Sequence, residues 1–305
     1  MSISSTCSPA SRAASASWKT ARSSAPSRPR ISSPALHAIA ARRTLDVLKP
    51  LCHKAVMKDQ PSPIRETDDE ARKLARVLLR SARHAAIAVL DPETGFPFAS
   101  RVLLATDIDG TPVILVSRLS AHTKALAKDP RASLLTGEPG KGDPLAHGRL
   151  TTQCVAEPVE HGHRFHERIR TRFLDRHPKA KLYIDFPDFL FFRLKPERAS
   201  LNGGFGRAYH LDGSDLVIQS PANEAIAAKA AETVRDLVER HPDVAAILAM
   251  RLNAPESASW RICGIDPAGF EIISGDFLVR YEFETLAADS DHICSNISKI
   301  AYSIP

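Results

Sequence analysis

An α+β chain, in which an antiparallel β-barrel precedes a small α+β unit, is the fold class that this sequence predicts. Three observations lead there. Several short runs of apolar and β-branched residues fall between positions 85 and 201, with turn chemistry between them and few helical stretches, which suits an antiparallel barrel. Two of these runs, 99–106 and 111–117, flank Asp107-Ile108-Asp109-Gly110, an Asp-Gly turn that closes a hairpin. From about Asp212 the pattern shifts to an Ala-rich helix and then a hairpin, the mark of a small α+β unit. The expected division is a basic leader over 1–60, the barrel over 61–212, the α+β unit over 213–288 and a frayed tail over 289–305.

The elements follow in order. Residues 1–34 are rich in Ser, Ala, Arg and Pro, hold no acid and show no apolar periodicity. Three readings stay open for them: an organellar transit peptide, a start placed upstream of a true one at Met57, or a disordered tail. Thr67-Asp68-Asp69-Glu70 reads as a capping box, with Leu74, Val77, Leu78 and Ala82 on one helical face after it. A strand over 85–90 and the turn Asp91-Pro92-Glu93-Thr94-Gly95 lead into the hairpin. A short helix then runs up to Pro130, a strand covers 133–137, and the Gly- and Pro-containing stretch 138–148 is a long exposed loop. A strand over 149–158, a basic amphipathic helix over 160–176 with Phe165, Ile169 and Phe173 on one face, and strands over 190–194 and 199–201 complete the barrel. Helices over 222–241 and 245–252, a hairpin of 260–265 and 270–273 turning at Asp266-Pro267-Ala268-Gly269, and a strand over 278–283 make the last unit.

Charge and cysteines exclude whole classes of function. The net charge of +6 arises in residues 1–56, where nine Lys and Arg face the single acid Asp46, so the rest of the chain stands near −2. The folded part is therefore no nucleic-acid-binding body on charge grounds. No apolar run approaches the ~20 residues of a membrane helix, and a cytoplasmic protein is expected, or an organellar one if the leader is a transit peptide. Cys7, Cys52, Cys154, Cys263 and Cys294 form no metal-ligand or redox spacing and fit a reducing interior. His161, His163 and His166 lie on the basic helix without a carboxylate at metal spacing, so a charged helix face explains them.

The stretch 96–135 carries the chemistry. Ser117, Arg118, Ser120, His122, Thr123 and Lys124 crowd a strand end and the first turn of a helix, where free backbone N–H groups and the helix dipole favour an anion such as phosphate. No Ser-His-Asp order, P-loop or dinucleotide fingerprint stands elsewhere, so any chemistry belongs to a cofactor and catalytic side chains stay unassigned.

The run Ser100-Arg101-Val102, then Val116 to Leu126, then Asp129-Pro130-Arg131-Ala132-Ser133-Leu134 resembles the FMN-binding split barrel of pyridoxamine-phosphate-oxidase-like proteins, in the HugZ-type haem-utilisation branch. Asp143-Pro144-Leu145, Arg149-Leu150-Thr151, His177-Pro178, the Asp185 to Phe189 string and Gly203 to Ala208 extend it over about 66–211. The resemblance implies a split β-barrel of the FMN-binding type, a homodimer with the cofactor at its interface, and an FMN-dependent oxidoreductase acting on a small redox substrate. It places Ser100, Arg101, Val102, Ser117 and Arg118 along the flavin and Ser120, His122, Thr123 and Lys124 at its phosphate. From the partner come Arg149, Gly204 and Phe205. The stretch 260–270 is similar to the C-terminal module of HugZ-type proteins, but that module's H-M-N-x-D-H-x-D string reads Asp236 to Asp243 here and keeps only His241 and Asp243. Two alternatives accompany FMN: a haem-binding or haem-degrading protein, with His122, His161, His163, His166 and His292 as available ligands, and a dimeric scaffold that has lost its cofactor.

Overall fold

The computed structural model describes residues 64–204, 206–257 and 259–303, and the expected leader lies outside them. The barrel strands are β1 (Ile64–Arg65), β2 (His84–Leu90), β3 (Pro97–Thr106), β4 (Pro112–Ser117), β5 (Arg131–Thr136), β6 (Arg149–Val159), β7 (Phe189–Asn202) and β8 (Ala208–Asp212). Six of them close an antiparallel ring in the order β7-β4-β3-β2-β5-β6, with β6 pairing back onto β7, and β8 and β1 extend the sheet beyond β7. Alternation explains the closure. In β2, Ala85, Ile87 and Val89 point inward while Ala86 faces out, and Leu104, Ile114, Leu134 and Leu194 complete a fully buried interior. Each such side chain contributes roughly 1.5–3 kcal/mol by leaving water.

Four expectations are corrected. Helix α1 (Asp69–Arg80) is capped by Asp68, whose carboxylate accepts from the Ala71 N–H at 2.7 Å, whereas Thr67 Oγ1 donates to the His210 carbonyl. Its fully buried face is Ala71, Ala75 and Leu79, packed on Leu150, Leu201 and Leu211, with Leu74 and Leu78 of the expected row partly buried against the same core. The runs 190–194 and 199–201 are one strand, β7, because a bulge sets Pro196 opposite Cys154 and Arg198 opposite Gln153, which absorbs a residue that cannot donate to the ladder. The helix expected over 160–176 begins only at His166, as α3 (His166–Arg176), since Gly162 turns the chain with φ +84. Ile169 and Phe173 of α3 pack on Val113, Leu115 and Phe191.

The expected frayed tail is the fourth correction. Residues 290–302 form α6 (Ser290–Tyr302), capped by Asp289, with Ile293, Ile297 and Ala301 buried. Its i, i+4, i+8 spacing builds one apolar face, which the polar residues between had concealed. That face packs on α4 (Asn223–Arg240), α5 (Val244–Arg251) and the sheet β11-β10-β9, made of β9 (Arg261–Asp266), β10 (Gly269–Ser274) and β11 (Phe277–Glu282). Ile108, at the tip of the β3–β4 turn, is buried in this second core and ties the barrel hairpin to the C-terminal unit. Among the described residues no helix is long and apolar enough to cross a membrane.

Candidate functional site

At the start of α2 (Ala121–Lys128) the side chains expected to hold a phosphate are mostly engaged with the protein itself. Ser117 Oγ donates to Asp188 Oδ2 at 2.8 Å, and Arg118 reaches Glu160 at 2.8 Å. Ser120 Oγ donates to the Ser117 carbonyl and lies 2.7 Å from Thr123 Oγ1, and Thr123 is buried. His122 Nδ1 lies 3.0 Å from Ser100 Oγ, while its Nε2 is buried and has no partner among the described residues. Burial holds this imidazole below the usual histidine pKa, so it is neutral at pH 7 and supplies no charge to an anion. Lys124 is exposed and without a partner among the described residues, and no side chain caps α2. One ammonium and a helix start remain for a phosphate, with the Asp188 and Glu160 carboxylates close by.

The outer face of the barrel has a different character. Register sets Arg101, Ala86, Leu135, Thr151 and Ser200 in one row across β3, β2, β5, β6 and β7, and Ala99, Ala88, Ser133, Gln153 and Arg198 in the next. Arg101 and Arg198 have no hydrogen bond or ion pair among the described residues, and both are exposed on a face of otherwise small or apolar side chains. Leu135 is 47 % exposed and Leu103 38 %, both larger apolar groups than a solvated sheet needs. Beside Ala88, Ser133, Gln153 and Arg198 the face is hollowed by a cleft of about 570 Å³. His84, opposite Leu103, brings an imidazole to the same face, 3.3 Å from the Glu138 carboxylate.

Val102 points into the barrel core, so only its backbone can face a ligand. Ser117 opposes Phe189 at the start of β7, whereas Arg149 opposes Asn202 at its end, and a strand of 14 residues spans roughly 40 Å. One chain therefore does not bring Arg149 to the start of α2. Gly204 follows at φ +106, where a Cβ would press on the Ala146 carbonyl, and Phe205 lies outside the described residues. Among the described residues no three His, Cys, Asp or Glu side chains are grouped to hold a metal ion. Burial pushes the thiols of Cys154 and Cys263 up to about 12, which makes them unreactive. The acids near α2 escaped the sequence reading, although Asp188 stood within a quoted string. Arg101 was named through the family resemblance, and Leu103, within an unbroken apolar run, was not.

Residues 66–217 match the family model described as CREG, beta-barrel. The chain is 28 % identical over 201 residues to the non-canonical heme oxygenase HOZ, chloroplastic, of Arabidopsis thaliana, covering 64 % of this chain and 61 % of that protein. It is 31 % identical over 110 residues to heme oxygenase HutZ of Vibrio cholerae serotype O1, covering 34 % and 61 %. The chain thus spans 61 % of the length of each of these curated relatives. Among solved structures, protein Atu2129 of Agrobacterium tumefaciens superposes with a TM-score of 0.67 at 27 % identity, covering 76 % of this chain and 96 % of that one.

Proposed function

This chain belongs to the pyridoxamine-phosphate-oxidase-like split-barrel family, in its CREG and HutZ branch, and we propose that it binds haem on the outer face of the barrel and takes part in haem degradation. The observation that carries the reading is the pair Arg101 and Arg198: two guanidinium groups without carboxylate partners among the described residues, on β3 and β7 at the two ends of an outer surface rich in alanine, serine and leucine. A haem presents the complement, a planar apolar ring with two carboxylates, and Arg–carboxylate pairs are strong and directional. The small residues let the ring lie close to the sheet, His84 offers a nitrogen to the iron, and the cleft beside Ala88 falls in the size range of small-molecule sites. Bound haem would supply the iron that handles dioxygen.

A second copy of the chain covers this face in the proposal, because its leucine side chains are otherwise left to water and a site on one sheet is open on one side. The relatives HOZ and HutZ, both named heme oxygenases, support haem over FMN. The acid-free stretch 1–34 supports an organellar address, and the word chloroplastic in the HOZ name is in keeping with it.

FMN remains a second reading on one observation, the uncapped start of α2 beside the unpaired Lys124. Parallel titrations separate the two. With haem, a saturable Soret band is expected that fades when ascorbate and dioxygen are added, leaving an open-chain tetrapyrrole. Quenching of flavin fluorescence by the protein with no Soret change on haem addition would reverse the choice. In that case Lys124→Ala should weaken FMN roughly 10- to 100-fold and leave riboflavin, which lacks the phosphate, nearly unchanged.

A further inference from the structure

A second cleft, of about 590 Å³, lies between the barrel and the C-terminal unit. Its walls are Arg83 and Leu103 from the barrel, Lys179 and Tyr183 from the turn after α3, and Arg261 and Ser274 from the C-terminal sheet. The charges on these walls do not balance. Arg83 meets Asp276 at 2.6 Å, yet its Nε is buried without a partner among the described residues. Lys179 is exposed and has no hydrogen bond or contact ion pair among the described residues, and Arg261 donates to the backbone carbonyl of Asp175. Of the three cations, Arg83 and Lys179 lie near Asp276, the one carboxylate on the cleft wall among the described residues, while Arg261 has the Asp175 carboxylate behind it. Arg176 also reaches the wall but is answered by Glu271 at 3.4 Å, and His177 is neutral, its Nε2–H donating to the Leu104 carbonyl.

At the neighbouring seam Arg80 and Arg280 both reach the Asp266 carboxylate and Arg280 also reaches Glu271, so each of these arginines has a buried carboxylate in contact, which Lys179 lacks among the described residues. The positive excess in the cleft sits next to apolar surface from Leu103, Pro178 and Ile273, with the Ser274 hydroxyl nearby. We propose that this cleft binds an amphipathic organic anion, an aromatic or aliphatic body carrying a carboxylate, with Lys179 and Arg261 taking the carboxylate and Leu103, Pro178 and Ile273 the apolar body. The C-terminal unit thereby contributes half of a ligand site. The proposal goes beyond the haem reading, and its cations are not those of the sheet face, with Leu103 at the edge that the two share.

The probe is 2-naphthoate, with 2-naphthylmethanol as its uncharged analogue, titrated calorimetrically into the full chain. Naphthoate is expected to bind saturably, the alcohol at least tenfold more weakly, and Lys179→Gln to weaken naphthoate roughly tenfold while the exposed position keeps the fold intact. Equal binding of acid and alcohol, or naphthoate affinity unchanged by Lys179→Gln, would overturn the proposal. Loss of naphthoate in Arg101→Gln with retention in Lys179→Gln would also overturn it, by assigning the anion to the sheet face.

Discussion

Arg80 and Asp266 meet at 2.8 Å with both side chains fully buried, although one closes α1 on the barrel and the other ends β9 in the C-terminal unit. Arg280 grips the same carboxylate from β11, at 2.6 and 2.8 Å. Gly110 leaves room for the Arg80 guanidinium at φ +90, where any Cβ would collide with it. Burial alone would raise the Asp266 pKa, but the Arg280 and Arg80 charges outweigh it and hold the carboxyl below its ordinary range. A depressed carboxyl pKa gives stability that is present above the unfolded value near 3.9 and is lost as pH falls below it. Asp266→Asn should therefore cost about 3–5 kcal/mol at pH 7 in urea melts and flatten the loss of stability on acidification below about pH 4.

His177 gives a pH dependence of its own at milder acidity. Burial lowers its pKa to about 4, only partly opposed by the hydrogen bond to Leu104. The unfolded chain then binds the extra proton between the ordinary value near 6.5 and about 4, so stability falls as pH drops through that window. His122, also lowered by burial, acts in the same direction. The melting temperature should decline from pH 7 to pH 4.5, and His177→Gln should reduce that slope; an equal slope in the variant would place the titrating group elsewhere.

Helix α6 belongs to the core. Ile297 is fully buried against α4 and α5, so Ile297→Ala should remove about 2–5 kcal/mol, read from denaturant midpoints. A change under 0.5 kcal/mol would mean that the helix frays in solution.

His84 is the imidazole on the outer face, and its Nε2 sits 3.3 Å from Glu138. If it ligates the haem iron, His84→Ala should shift the Soret maximum and the ligand-field bands while haem is still retained through Arg101 and Arg198. An identical spectrum would assign the iron another ligand.

Much of the fold was legible because period-2 alternation and turn chemistry are local signals. The Asp107 to Gly110 turn, the β9–β10 hairpin and most of the central barrel strands follow from residues near each other in sequence, whereas β1 and β8 were not expected. What escaped depended on long-range partners. Asp68 rather than Thr67 caps α1 because Thr67 is drawn to His210, 143 positions away, and α6 is a helix because the core of α4 and α5 buries Ile293 and Ile297. The site shows the same division. Arg101 was named through the family resemblance, whereas Asp188 beside Ser117 and the buried, neutral His122 emerge only when β4, β7 and α2 are brought together. The Asp188 contact engages Ser117 and burial leaves His122 neutral, while the start of α2 stays uncapped beside Lys124.

The most direct test of haem binding on the outer face is a Soret titration of Arg101→Glu beside the parent chain. The exposed position makes folding indifferent to the change, but the new carboxylate would face a haem propionate in place of the guanidinium. Haem affinity should fall roughly 10- to 100-fold or more, with the melting temperature unchanged in the absence of haem. A haem affinity equal to the parent's would contradict the account and move the ligand off this face.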